Sequence, residues 1–207
     1  LNLNIMSANS DEYYSIEAPS TGMFKDQKSK FYAFAYPVES EAEVKRLLEN
    51  VRNEYHDARH HCCAYRIGCD GQKWRASDDG EPSGSAGRPI LGQIDSASLS
   101  DVAVIVVRYF GGIKLGVPGL IAAYKAACAD ALNNATRITK IAGKWYTLRF
   151  DYSSMPEVMK VVKEMNLPQR NQDYGCECSM EVRVRTSLDA DFLKKVSAIP
   201  KMLCNEE

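Results

Sequence analysis

The sequence predicts an α/β (α+β) chain of two domains, residues 11–138 and 143–207. Three observations predict it. Short aromatic and β-branched runs alternate with stretches of helical apolar spacing. One run, Val102 to Val107, is apolar throughout, as in a strand covered on both faces. After about Lys140 the pattern restarts as strand, helix, strand, strand, helix, strand, the order of a ferredoxin-like domain.

In chain order, Tyr13 to Ala18 and Phe31 to Val38 read as strands bounded by turn residues. Ser40 opens a helix, and Glu43 three residues on makes a capping box. Val44, Leu47, Leu48, Val51 and Tyr55 give that helix one buried face. His60 to Ile67 is a strand, followed by a turn at Asp70-Gly71. Ser77 to Gly87 contains almost nothing that packs and reads as a loop, while Arg88 to Ala97 reads as a short helix. The buried strand Val102 to Val107 leads into a glycine-rich turn, Arg108 to Gly119. A helix follows, with Pro118 near its first turn, an apolar face through Leu120, Tyr124, Cys128 and Ala131, and an end at Asn133-Asn134.

Thr136 to Gly143 reads as the linker. Beyond it, Lys144 to Tyr152 is a strand, and Ser154 with Glu157 reads as a second capping box. Leu167 to Tyr174 and Cys176 to Thr186 are strands about a turn at Gly175. Arg183 and Arg185 alternate with Val182 and Val184, which leaves the second strand one wet face. Leu188 to Ala198 is helical, and Lys201 to Cys204 is a last short strand.

Composition excludes several classes. Hydrophobic residues make up 45% and charged residues 26%, so the chain can bury a core. The net charge of -1 is spread evenly across the two halves, so no polyelectrolyte footprint is visible, and any nucleic-acid site is a local patch. Seven cysteines, an odd number without a framework spacing, fit reduced thiols and a cytoplasmic location. No apolar run is long enough to span a membrane, and there is no basic-then-apolar N-terminal pattern.

Two segments can carry chemistry. In the first, Asp78, Asp79, Gly80 and Glu81 precede Gly84, Gly87 and Arg88. Three carboxylates so close together can hold a hard cation such as Mg²⁺, and the glycines expose N–H groups that can cradle an anion. A solvated acidic turn is the plain alternative. The second comprises Arg108, Tyr109, Gly111, Gly112, Lys114, Gly116 and Gly119, with Lys125 further into the helix. It leaves a strand and enters a helix, where dipole, N–H groups and cations together suit phosphate. Its spacing fits neither a Walker loop nor a dinucleotide fingerprint. A tight turn packed on glycine is the plain alternative, but eight of the thirteen glycines fall between Gly80 and Gly119, which favours function.

His56, His60, His61, Cys62 and Cys63 form a further cluster. Strand alternation separates His60 and Cys62 from His61 and Cys63, two per face, too few for structural zinc. His60 and His61 are therefore accessory candidates. There is no G-x-S-x-G elbow, and no catalytic residue is assigned.

The segments ARHHCCAYRIG (Ala58 to Gly68), SDDGEPSGSAGRPIL (Ser77 to Leu91) and VVRYFGGIKLGVPGLIAAYKAA (Val106 to Ala127) resemble the IMPACT family and its bacterial YigZ-type members. The resemblance implies an N-terminal βα domain like that of a small-subunit ribosomal protein. It implies a C-terminal domain similar to those of elongation factor G. The expectation is thus a non-catalytic protein that binds RNA, the ribosome or translation factors in the regulation of translation, without a cofactor. Arg108 and Lys114 would meet phosphates, N–H groups at Gly111, Gly112 and Gly116 would assist, and Tyr109 would stack on a base. Two alternatives stay open. One is an enzyme in which Mg²⁺ on Asp78, Asp79 and Glu81 acts on a phosphorylated small molecule. The other is a module that binds a protein partner.

Overall fold

The computed structural model describes residues 11–175 and 177–206. The chain divides into two compact units, Glu12–Lys140 and, with Asp11, the segment from Ile141 onwards. Mixed α/β architecture with antiparallel sheets holds in both. Among the described residues no helix is long and apolar enough to cross a membrane.

The first unit is built on a five-stranded sheet ordered β2-β3-β6-β4-β5, antiparallel at every pairing. Its strands are β2 (Ser20–Asp26), β3 (Ser29–Pro37), β4 (His60–Ile67), β5 (Lys73–Ser77) and β6 (Val102–Tyr109). A two-stranded sheet pairs β1 (Glu12–Ile16) with β7 (Arg137–Ile141). The expected linker is therefore largely a strand. Central β6 is buried on both faces from Val102 to Val107, as its unbroken apolar run requires.

Alternation on β4 and β6 sorts the side chains between two cores. Cys62, Ala64, Val104 and Val106 face α2 (Gly87–Ser96) and α3 (Gly116–Asn133), where Ile90, Ile94, Leu120, Tyr124 and Ala127 pack. Cys63, Ile105 and Val107 face α1 (Glu41–Glu54) and its buried Val51. The start of α1 is capped as its sequence suggests, with Ser40 Oγ accepting the Glu43 N–H at 3.2 Å. Glu43 reaches one residue further back than a capping box, to the Glu39 N–H at 2.8 Å.

The second unit orders its strands β11-β8-β10-β9, all antiparallel. These are β8 (Gly143–Phe150), β9 (Gln169–Tyr174), β10 (Cys178–Arg185) and β11 (Leu203–Glu206). With α4 (Met155–Glu164) and α5 (Asp189–Ser197) they complete the βαββαβ arrangement. Tyr146, Leu148, Phe150, Met180 and Val182 pack with Val158, Val162, Phe192 and Val196 of the helices. The Ser154–Glu157 capping box does not form. A 3₁₀ turn, Tyr152–Ser154, precedes α4, and Ser154 Oγ donates instead to the Pro200 carbonyl at 3.2 Å. Cys176, expected to open a strand, lies outside the described residues.

Candidate functional site

The loop that follows β5 and enters α2 carries the three clustered carboxylates, and each turns to different partners. Asp78 Oδ2 accepts the Gly84 N–H at 2.8 Å, and Oδ1 accepts those of Ala86 at 3.0 Å and Gly87 at 2.8 Å. It thereby satisfies donors at the start of α2, whose N-cap residue Ala86 has no side-chain acceptor of its own. Burial acts to raise the Asp78 pKa. The three N–H donors and the nearby Arg88 charge outweigh it and hold the carboxyl below the usual range.

Asp79, at φ +43°, turns the other way. Its Oδ1 accepts from the Arg52 guanidinium at 2.6 Å and its Oδ2 from the His61 N–H at 2.7 Å. Its carbonyl oxygen lies 2.9 Å from His60 Nδ1, which places the proton on that nitrogen.

Glu81 is the buried one. Its Oε1 accepts from Arg108 Nη1 at 2.7 Å and from the Tyr124 hydroxyl at 2.9 Å. That hydroxyl lies 3.3 Å from Cys62 Sγ, which is itself 3.0 Å from the Asp78 carbonyl. Burial pushes the Cys62 thiol and the Tyr124 phenol up, so both stay protonated.

The three carboxylates therefore do not share a cation. Among the described residues no group of three His, Cys, Asp or Glu side chains converges as a metal site, which also covers His60, His61, Cys62 and Cys63. His61 is buried, with Nε2 on the Tyr55 carbonyl at 3.1 Å, and serves packing.

Arg108 and Tyr109 also differ from expectation. As neighbours on β6 they point to opposite faces. Arg108 is 7% exposed and paired with Glu81, and its guanidinium lies 5.6 Å from the ring centroids of Phe31 and Phe110. Its Nε is buried without a hydrogen-bond partner. Tyr109 hydrogen-bonds Asp57 at 2.5 Å, which with partial burial pushes its pKa up to about 12, and its ring meets Tyr32 edge-on. Both line the cleft described next, but each is held there by a carboxylate, Arg108 by Glu81 and Tyr109 by Asp57.

The two glycine-rich segments do meet. Beside the Glu81–Arg108 pair lies a cleft of about 730 Å³, lined by Arg59, His60, Pro82, Phe110, Lys114 and Gly116 among others. Lys114 and Arg59 are exposed at this cleft, and among the described residues neither has an ion-pair partner. The first turn of α3 opens onto it through Gly116 and Val117, with no side-chain cap at Leu115. Gly116 turns the chain into the helix at φ +69°. At Gly111 a Cβ would stand 2.1 Å from the Lys28 carbonyl carbon, so that glycine serves a close approach of two turns. Gly80, Gly84 and Gly112 lie in the same turns, and Gly119 in the first turns of α3. Exposed Lys125 on α3 and Arg88, stacked on Trp74 at 5.0 Å, do not line the cleft.

Sequence reasoning missed Arg59 and Phe110. No linear spacing ties Arg59 to Lys114; the adjacency of β4 and β6 in the sheet does.

The family model for the Impact N-terminal domain matches residues 27–132, which hold both glycine-rich segments and the whole cleft. The chain belongs to the IMPACT family. The family member YigZ of Escherichia coli (strain K12) is 34% identical over 182 residues, 87% of this chain and 89% of that protein. The member YvyE of Bacillus subtilis (strain 168) is 30% identical, covering 83% and 79%. A crystal structure described as that of a hypothetical protein matches at TM-score 0.70 and 31% identity, across 93% of this chain and 96% of that one. The IMPACT-family match thus extends through both units.

Proposed function

We propose that this IMPACT-family protein is a non-catalytic binding protein for RNA, free or on the ribosome, acting in the regulation of translation, with phosphate held in the Arg59–Lys114 cleft. One observation carries the reading. Around the cleft the carboxylates of Asp57 and Glu81 are engaged by Tyr109 and Arg108, while the cations Arg59 and Lys114 stand open beside an uncapped helix start. Such a site attracts an anion. Phe110, 57% exposed, supplies a ring on which a base can stack. The setting in translation follows from what membership of the IMPACT family implies.

The test is RNA crosslinking in cells, comparing the wild type with Arg59→Ala plus Lys114→Ala. Both side chains are exposed, so the fold is retained. Ribosomal or transfer RNA recovered with the wild type and reduced about tenfold in the variant supports the reading. Equal recovery from both removes the cleft as the site. A second reading has its own observation: Phe110, Ile113 and Val117 form an exposed apolar rim at 57%, 47% and 45% exposure. A protein partner captured without RNA, and lost in Ile113→Asp, favours that module.

A further inference from the structure

The second unit covers one face of its sheet with α4 and α5 and leaves the other without a helix. Pairing register defines the open face. Trp145 lies opposite Arg183, Thr147 opposite Glu181, and Arg149 opposite Ser179, while Arg170 of β9 lies opposite Glu181. Asn205 of β11 sits opposite Thr147.

The charges on this face are sorted by type as well as sign. The chain beyond Lys140 contains four arginines, Arg149, Arg170, Arg183 and Arg185, and all four belong to the open face. Its six lysines lie elsewhere: Lys144 on the other side of β8, Lys160 and Lys163 on α4, Lys194 and Lys195 on α5, and Lys201 in the last turn. The segment as a whole is balanced, with ten acidic and ten basic residues, so the excess on the sheet is a matter of placement. Both acids of this face are engaged: Glu181 by Arg170 and by Asn171 at 2.9 Å, and Asp173 by the Gly175 N–H at 3.2 Å. Arg149 and Arg185 are exposed and have no ion-pair partner among the described residues. Between them stands Trp145, half-buried, with the Arg170 guanidinium 3.9 Å from its ring centroid.

An arginine already stacked on an indole, flanked by open arginines, is a platform for bases and phosphates together. Planar guanidinium groups suit both partners, whereas lysine would serve phosphate alone. Ser179 and Asn205 add small polar groups of the kind that meet a ribose 2′-hydroxyl.

We infer that this open sheet face is a binding surface for single-stranded RNA, with bases stacked over Trp145 and Arg170 and phosphates met by Arg149 and Arg185, while Arg183 is held on the Ile141 carbonyl at 3.0 Å. The surface lies wholly in the second unit and does not depend on the cleft reading.

The test titrates the full chain into a labelled oligouridylate of about twelve nucleotides, followed by fluorescence anisotropy at several salt concentrations. Arg149→Ala plus Arg185→Ala weakens binding about tenfold or more and lowers the slope of log K against log salt by about 1.4, two phosphates at about 0.7 each. Arg149→Lys plus Arg185→Lys restores that slope. Trp145→Leu weakens binding about tenfold and leaves the slope unchanged, as expected for lost stacking. A deoxyuridine strand of the same length binds more weakly than the RNA. The inference is overturned if the wild type does not bind the RNA, or if the Arg149/Arg185 curves superimpose on it. Binding of polyglutamate in place of RNA overturns it too and makes the face a protein dock. Arg59→Ala plus Lys114→Ala, run in parallel, separates the two sites. If only that pair loses RNA, the sheet inference fails and the cleft reading stands. If only the arginine pair does, the reverse holds.

Discussion

Deleting the Arg108 guanidinium would leave the Glu81 carboxylate buried without its cation. The pair is almost enclosed, with side-chain exposures of 8% and 3%, and Tyr124 supplies Glu81 with one neutral donor. Breaking a pair of this kind from one side costs about 3–5 kcal/mol. Arg108→Ala therefore unfolds in urea with a stability loss of that size, whereas Lys114→Ala stays within about 0.5 kcal/mol of the wild type. Loss of RNA by an Arg108 variant is then no report on the cleft, which is why Arg59 and Lys114 are the pair to change. Asp78 has a pH signature as well. Its pKa is lowered on folding from the usual 3.8, so its contribution is present above that value and is lost as the pH falls through the lower folded one. Asp78→Ala costs about 2 kcal/mol at neutral pH through the three N–H groups it leaves without an acceptor. The difference from the wild type shrinks as the pH is taken below 3.8, and urea unfolding at each pH follows it.

Elements with a strong stripe were legible in the sequence, and elements held by backbone pairing were not. α1, α3 and β6 bury a continuous face, so their periodicity shows. β2 and β5 are edge strands of the sheet, and β5 has no buried residue. Besides its hairpin pairing with β3, β2 is held at α3: the Met23 N–H donates to Asp130 at 2.8 Å and Asn134 donates to the Thr21 carbonyl at 2.9 Å, contacts across more than a hundred residues that no local pattern announces. The site was divided in the same way. Motif positions around Asp78 and Arg108 were visible, but the internal pairing of Arg108 depends on strand parity and on Glu81 arriving from another loop. The packing of β2 on α3 is testable at glycine. A Cβ at Gly22 would stand 2.2 Å from the Ala131 nitrogen, which is backbone and cannot rotate away. Gly22→Ala costs about 3 kcal/mol, the upper end for overpacking, because the backbone itself must shift. Gly92, inside α2 with open space around its would-be Cβ, gains about 0.5–1 kcal/mol on the same change. Thermal melts of the two variants move in opposite directions.

At the scale of the whole molecule, the cores decide how it unfolds. Every buried residue of the second unit's cluster lies between Tyr146 and Ile199, and those of the first unit's clusters lie between Ile16 and Ala131. No buried side chain belongs to both sets, so each unit holds the apolar burial that drives its own folding. The two tryptophans make this measurable, since Trp74 stands on β5 and Trp145 on β8. Phe192 is fully buried and packs against Tyr146 at 5.2 Å between ring centroids. Phe192→Ala removes about 3–5 kcal/mol from the second unit. With Trp74→Phe as background, the fluorescence of Trp145 then reports a urea midpoint moved sharply down. With Trp145→Phe as background, Trp74 reports a midpoint within error of its parent. If both reporters shift together, the units unfold as one cooperative body, and RNA-binding variants in either would have to be judged against the stability of the whole chain.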